Sequence, residues 1–213
     1  MTRAEMGLPE QGFVFCCFNN NYKITPTVFD SWMRILHQVE GSVLWLLAGN
    51  RDAKTNLQLA ATARGINPER ICFANRLPIS EYLTLHRLAD LFLDTSPYNA
   101  GATASAALWA GLPVLTYLGN TFSGRMAASL LNAVGLPELI TTSFQDYEAL
   151  AIQLATHPEQ LTALKQKLAN NRLTYPLFNT ALFTQHLESA YVTMWEKYQR
   201  GEAAESFAVG ARA

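Results

Sequence analysis

The chain predicts a doubly wound α/β domain, a parallel sheet with helices on both faces. Three observations carry that reading. Short apolar runs recur that are continuous rather than alternating, as expected of strands covered on both sides. Between them lie runs whose apolar residues fall at helical spacing. The connections are short, so strand and helix alternate about six times, and parallel strands joined by helical crossovers follow.

Taken in order, Phe13-Val-Phe-Cys-Cys-Phe18 is the first strand. Thr25 then offers an N-cap with Pro26 at the first helical position. Val28, Phe29, Trp32, Ile35, Leu36 and Val39 follow at helical spacing until Gly41 stops the run. Ser42 to Leu47 is the second strand. A helix from about Thr55 to Arg64 ends at Gly65, where a left-handed cap is easy for glycine. Ile71 to Ala74 is the third strand, and Ser80 caps a helix running to Leu88. Leu91 to Leu93 is the fourth strand, followed by a turn and a helix from Ala102. Val114 to Tyr117 is the fifth, Thr121 to Val134 a further helix, and Leu139-Ile140 a short last strand. Beyond Ser143 the pattern is helical: Phe144 to Ala155, Pro158 to Asn170 and Ala181 to Tyr198. Residues 1–11 read as an N-terminal tail, residues 12–200 as the domain, and residues 201–213 as a disordered tail. No repeat period, low-complexity segment or internal linker interrupts it.

Composition bounds the function. The 213 residues suffice for one sizeable core, and 16 Lys plus Arg against 17 Asp plus Glu give a net charge of −1. That balance, with no basic patch, argues against a nucleic-acid partner. The first dozen residues lack the apolar stretch of a signal peptide, and no run approaches the roughly 20 apolar residues of a membrane span. Cys16, Cys17 and Cys72 lie in strand-like runs and read as reduced thiols of a cytoplasmic protein. No Cys/His grouping has metal-ligand spacing.

The stretch Asp94-Thr-Ser-Pro-Tyr-Asn-Ala-Gly-Ala-Thr103 is the richest in chemistry. It leaves the end of a strand and enters a helix of small residues. In doubly wound sheets, ligands sit beyond the carboxyl ends of the strands where strand order reverses. The first turn of the helix offers unpaired N–H groups and the positive end of its dipole, which attract an anion. The same small residues would equally allow close helix–sheet packing.

Several segments closely resemble the C-terminal catalytic half of the O-linked N-acetylglucosamine transferases, including the bacterial tetratricopeptide-repeat and plant SPINDLY-type members. They are Asp94 to Asn99, Ala107 to Thr116, Gly119 to Ser129, Phe18-Asn-Asn-Asn-Tyr-Lys-Ile24, Ser42 to Leu47, Leu88 to Asp90, Pro176 to Asn179 and Met194-Trp195. The likeness runs in order over about residues 12–200. It implies a GT-B glycosyltransferase, in which two Rossmann-like halves face each other across a cleft, with this half holding the nucleotide-sugar donor, UDP-N-acetylglucosamine or a relative. The implied reaction is inverting transfer to Ser or Thr hydroxyls of an acceptor protein, with no cofactor and no required metal. Negative charge developing on the leaving diphosphate must then be met by placed donors and cations. The resemblance puts Lys23 in that role, with Asn20 as an amide donor where relatives often carry Gln. It puts the phosphate-cradling helix start at Gly101, Ala102 and Thr103. Tyr82 would stack on the base, and the backbone around Arg76 and Leu77 would read its edge.

The departures are specific. Many relatives carry His at Gly101 and usually Asp at Ala106; some carry Lys at Ile79 and His at Tyr82, and another has a base-contacting Arg at Leu85. Losing the Asp at Ala106 removes a ribose hydrogen bond worth roughly 1.5–3 kcal/mol, about tenfold to a hundredfold in affinity. A derived, non-catalytic module that holds a nucleotide or a partner is therefore the alternative. The family also uses a second Rossmann half and usually an N-terminal array of helical repeats. The sequence reads as beginning at the donor domain, hence as a fragment, a split subunit or a shortened product with that half as its partner. The last helix would cross back towards that half, and its apolar side, with Phe183, Leu187, Tyr191 and Met194, would be partly exposed in the chain alone, a patch that suggests a partner or self-association.

Other candidates carry less. His37, His86, His157 and His186 read as surface or helix-end residues, and Ser96, Ser105 and Ser123 lack a nucleophile elbow. Glu138, Asp146 and Glu148 read as charges complementing helix starts. Trp32, Trp45, Trp109 and Trp195 read as core or helix–sheet packing. Arg125 fits either an ion pair or a donor-side role.

Overall fold

The structure, a computed structural model, describes residues 1–47 and 49–210. Six strands form one sheet in the order β3-β2-β1-β4-β5-β6. They are β1 (Val14–Cys17), β2 (Val43–Leu47), β3 (Ile71–Ala74), β4 (Leu91–Leu93), β5 (Val114–Tyr117) and β6 (Ile140–Thr141). Every neighbouring pair is parallel, with Phe15 in register with both Leu44 and Leu91. The chain winds outward from β1 to β3, then crosses to β4 and winds the other way. The reversal falls between β1 and β4, and their carboxyl ends open a crevice there.

The three central strands β1, β2 and β4 are buried along nearly their whole length, which accounts for their continuous apolar sequence. Eight α-helices among the described residues complete the fold: α1 (Pro26–Gln38), α2 (Arg51–Thr62), α3 (Ile79–Leu85), α4 (Ala102–Ala110), α5 (Met126–Ala133), α6 (Phe144–Thr156), α7 (Pro158–Thr174) and α8 (Thr180–Gln199). Helix α1 packs on α6, and α4 packs on α3, α5 and α7. Trp32, Trp45, Tyr147, Phe15 and Phe92 are the largest fully buried side chains.

The caps explain where the elements begin. Thr25 accepts from the Val28 N–H at 3.4 Å, with Pro26 in the first turn, as the sequence predicts. Helix α2 starts four residues before the expected Thr55, because Asn50 accepts from the Ala53 N–H at 2.8 Å. Ser80 does not cap α3. Pro78 stands at the N-cap, and Ser80 lies inside the helix with its carbonyl taking the Thr84 hydroxyl at 3.2 Å. The expected helix from Thr121 begins only at Met126. Residues 119–124 instead close a tight loop, the Gly119 N–H donating to the Gly124 carbonyl at 2.7 Å. A side chain at Gly124 would come within 2.9 Å of the Pro97 carbonyl, so this loop packs directly on the stretch after β4.

Residues 1–11 include Arg3, which pairs with Asp90 at 2.8 Å, and Leu8, which is buried. Residues 201–210 form no helix or strand, and Glu205 pairs with Lys197. The rest of that stretch, residues 211–213, lies outside the described residues.

Candidate functional site

The site grows from the two loops that leave β1 and β4. After β4, the Asp94 side chain is sealed from solvent. Its Oδ1 accepts from the Thr95 N–H at 2.8 Å and the Ala100 N–H at 2.7 Å, drawing both ends of the loop onto one oxygen. Its Oδ2 accepts from the Thr116 hydroxyl on β5 at 2.7 Å. Beneath it, Tyr147 of α6 donates to the Asp94 carbonyl at 3.0 Å and accepts from the Trp32 indole of α1 at 3.1 Å. Burial pushes the Asp94 carboxyl up to about 7, against hydrogen bonds from Ala100, Thr116 and Thr95 that favour its charge.

After β1, the chain makes a short 3-10 turn, Asn21–Lys23. It delivers Lys23 to this loop: Nζ donates to the Asn99 carbonyl at 2.9 Å and lies 3.7 Å from the centroid of the Tyr98 ring. The ammonium is thus held by a neutral carbonyl and an aromatic face, and among the described residues no carboxylate lies within 4 Å to neutralise it. In the next loop Arg76 donates to Asn20 Oδ1 at 2.6 Å, which leaves the Asn20 amide N–H groups free to point elsewhere.

These loops surround a cleft of about 340 Å³ lined by Asn19, Asn20, Lys23, Arg76, Leu77, Tyr82 and Thr103, with Phe18, Tyr22, Leu47 and Ile79. The structure therefore brings six of the residues singled out in the sequence into one cavity at the reversal point. Gly101 and Ala102 do not line it. They stand at the start of α4, where Gly101 occupies the N-cap with no side-chain cap, so the first N–H groups of the helix are uncapped. A Cβ at Gly101 would meet only Met126 Cε, at 3.4 Å, so glycine is not demanded there by crowding.

Tyr82 forms one wall of the cleft. Its hydroxyl is pushed up to about 12 by burial, and its ring meets His86 edge-on at 4.7 Å between centroids. His86 is fully buried, not at the surface: it ends α3, packs against Phe18, and its Nδ1 lies 3.0 Å from the Tyr82 carbonyl. Burial lowers it to about 4, so the ring is neutral at physiological pH. Of the four tryptophans only Trp32 and Trp45 are buried. Trp109 is 43% and Trp195 61% exposed, because α4 and α8 turn those positions outward. Glu148 reaches across to Arg34 in a two-point ion pair at 2.9 and 2.7 Å, and Glu138 pairs with Lys167 at 2.6 Å. Asp146 does sit in the cap of α6, its N–H donating to Ser143 Oγ at 3.0 Å. Arg125 lines a separate cleft of about 750 Å³ with Phe122, Met126, Ser129 and Asn132.

Sequence reasoning missed Asp94, Asn19 and His86 as parts of the site. An Asp beginning a Pro/Gly/Asn-rich turn after an apolar run was the available signal for Asp94. Nothing in the sequence distinguished His86 from the other histidines. Among the described residues no group of three or more His, Cys, Asp or Glu side chains is placed to hold a metal ion, and no helix is long and apolar enough to cross a membrane.

Known proteins resemble this chain in sequence and in fold. The chain is 37% identical over 208 residues to the Arabidopsis thaliana protein described as probable UDP-N-acetylglucosamine–peptide N-acetylglucosaminyltransferase SEC, a match covering 97% of this chain and 21% of that protein. Its likeness to the Caenorhabditis elegans UDP-N-acetylglucosamine–peptide N-acetylglucosaminyltransferase is 34% over 200 residues, 94% of this chain and 17% of that one. The chain thus spans about a fifth of the length of these curated relatives. Among solved structures, a mutant O-GlcNAc transferase of Thermobaculum terrenum superposes with a TM-score of 0.83 at 32% identity, over 87% of this chain and 36% of that one. The family model described as Glycosyl transferase family 41 matches residues 1–187. By sequence and by fold, this chain belongs to glycosyl transferase family 41.

Proposed function

We propose that this chain is the donor-binding half of an inverting protein O-glycosyltransferase, working with a second Rossmann-like half to move N-acetylglucosamine from UDP-N-acetylglucosamine to Ser or Thr hydroxyls. The observation that carries it is the placement of Lys23. Its ammonium stands at the sheet's reversal point, in the cleft that Asn20, Arg76 and Thr103 of α4 also line, and among the described residues no carboxylate forms an ion pair with it. A diphosphate laid between Lys23 and the N–H groups of Gly101, Ala102 and Thr103 would meet a cation on one side and backbone donors on the other. As the sugar–phosphate bond breaks, charge builds on the leaving oxygen, and donors already in place stabilise it without reorganising. Asn20 would add an amide N–H. Tyr82 supports stacking on the base, and the backbone at Arg76 and Leu77 supports reading its edge. The acceptor protein and the attacking hydroxyl would enter from the second half.

The donor domain would take in residues 12–200. We place the protein in the cytoplasm, a reading that the three free thiols support. A helical-repeat segment, where the family carries one, would hold the acceptor. A non-catalytic, nucleotide- or partner-holding module is the second reading, favoured by Ile79 standing 71% exposed on the cleft where relatives place a ribose-binding lysine.

Calorimetric titration of UDP and UDP-N-acetylglucosamine into the chain tests the donor site. We expect dissociation constants between about 1 μM and 1 mM, weakened at least about tenfold by Lys23→Ala. No heat from the folded chain with either nucleotide would remove the donor-binding reading.

A further inference from the structure

Asp94 is a buried acid whose two oxygens serve different parts of the molecule. Oδ1 takes the Thr95 and Ala100 N–H groups at 2.8 and 2.7 Å and so closes the loop after β4. Oδ2 turns away, to the Thr116 hydroxyl at 2.7 Å. On the Oδ1 side a second set of bonds fixes what the loop presents. The Thr95 hydroxyl donates to the Tyr98 carbonyl at 2.6 Å and accepts from the Asn19 amide at 2.7 Å, while the Asn99 amide donates to the Thr95 carbonyl at 2.7 Å. What remains pointing outward is the Tyr98 ring and the Asn99 carbonyl, the two groups that seat the Lys23 ammonium. Ala100, held by Oδ1, is followed at once by Gly101 at the N-cap of α4. Both walls of the anion site are therefore hung from one carboxylate oxygen.

We propose that Asp94 is the positioning residue of the donor site: through Oδ1 it sets the spacing between the Lys23 ammonium and the start of α4, and through Oδ2 it only anchors β5. The inference rests on the donor-binding reading above. It goes beyond that reading by assigning the site's geometry to a buried acid that does not line the cleft.

The charge of Asp94 adds a second readout. The titratable groups that face it are Cys17 from β1, Lys23 from the turn after β1 and Tyr147 from α6; β5 faces it with Thr116, which does not ionise. A bound diphosphate brings further negative charge beside Lys23, so the protonated, neutral acid holds the donor better than the carboxylate. Protonation leaves Oδ1 free to accept, since the proton can sit on Oδ2 and be donated in a hydrogen bond to the Thr116 oxygen, whose hydroxyl then turns from donor to acceptor. Donor affinity should then rise as pH falls through 7, the region where Asp94 titrates.

The test is titration of UDP-N-acetylglucosamine, whose diphosphate diester does not change charge near neutrality, into four forms of the full chain. Asp94→Ala removes Oδ1, orphans two buried N–H groups and should weaken binding at least about tenfold at every pH. Asp94→Asn keeps an oxygen for the loop and turns its amide to Thr116, so it should bind at least as tightly as wild type near pH 8. Thr116→Val removes only the Oδ2 partner, and should lower the melting temperature while leaving affinity within about twofold. Wild-type affinity should climb roughly three- to tenfold between about pH 8 and pH 6, and Asp94→Asn should flatten that slope. Should Asp94→Ala not fold, Thr95→Val, which cuts the Asn19–Thr95–Tyr98 link, should weaken binding at least about threefold.

The proposal is overturned if folded Asp94→Ala binds within about twofold of wild type, or if Asp94→Asn loses as much as Asp94→Ala. It is equally overturned if Thr116→Val costs as much affinity as either. Binding that Lys23→Ala weakens and Asp94→Ala spares sinks this inference alone. A folded wild-type chain that binds nothing sinks it together with the donor-binding reading.

Discussion

Between Asp94 and Ala100 the chain turns sharply, yet side-chain bonds hold it: the loop closes on Asp94 Oδ1, the Asn99 amide binds the Thr95 carbonyl, and Asn19 ties Thr95 to the turn after β1. Helix α8 is the opposite case. Over Thr180–Gln199 it buries no residue, and Phe183, Tyr191, Trp195 and Tyr198 are each at least 60% exposed. An irregular loop is thus fixed from within, while a long regular helix is left with its aromatic side chains in solvent. Regularity and order come from different sources. Backbone hydrogen bonds make α8 a helix, but only burial or side-chain bonds give a segment a fixed place in the fold. The loop has those within this chain; α8 would obtain them from the second half that we propose as partner.

Breaking the loop's support should give the largest effects. Trp32 fills the space under Tyr147 and donates to its hydroxyl at 3.1 Å, so Trp32→Ala should cost about 3–5 kcal/mol in denaturant unfolding. A loss below about 1 kcal/mol would mean that the loop does not depend on this column. Next comes a pH effect on the cleft wall. His86 is lowered by burial to about 4 from 6.5, so below pH 6.5 the unfolded chain binds a proton that the fold refuses until about pH 4. The stability of wild type relative to His86→Met should therefore be largest above pH 6.5 and decline by about 3 kcal/mol as pH falls towards 4. Asp94 has the reverse sign: its raised value makes its contribution full below 3.8 and lost as pH rises through 7. The difference between the two curves, which cancels Asp94, is the quantity to measure, and a difference that does not change with pH would contradict the buried neutral ring. Smaller again is Tyr147→Phe. It leaves the Trp32 N–H and the Asp94 carbonyl each short of one bond and should cost about 1–3 kcal/mol, read as a lowered melting temperature.

The same contrast explains how much was legible in the sequence. Strands β3, β4 and β5 fall on the expected residues, because a buried parallel strand writes itself as an unbroken apolar run between turn residues. Helix starts were legible where a residue could bond only one way, as at Thr25 and Ser143, and misread where two were eligible, as at Ser80 beside Pro78. Lys23 was legible through a family motif and Tyr82 as a departure from the family pattern that could still stack on the base, and the structure puts both on one cleft. Asp94 was not, since its role comes from partners on β5, in the β1 loop and on α6 that are far away in the chain. His86 was not legible either, because burial at a helix end depends on how Phe18 and Tyr82 pack over it. Trp109 and Trp195 misled for the same reason: apolar character predicts burial only when something is there to cover it.

The smallest expected effect on stability sharpens the comparison most. Trp195 of α8 is 61% exposed and lies tilted against Tyr198, with ring centroids 5.8 Å apart. Were α8 a finished surface of this chain, Trp195→Ser would be an ordinary surface change within about 0.5 kcal/mol, and nothing else would follow. Were it a face awaiting a partner, the same substitution would still be neutral in the chain alone. It would then cost more than about 1 kcal/mol in association with the second half, as buried aromatic anchors do. The two measurements must be made on the same variant, because only the gap between them separates a covered face from an idle one. A stability loss above about 1 kcal/mol in the chain alone would show that α8 already has its contacts within this chain, and the contrast with the Asp94 loop would then disappear.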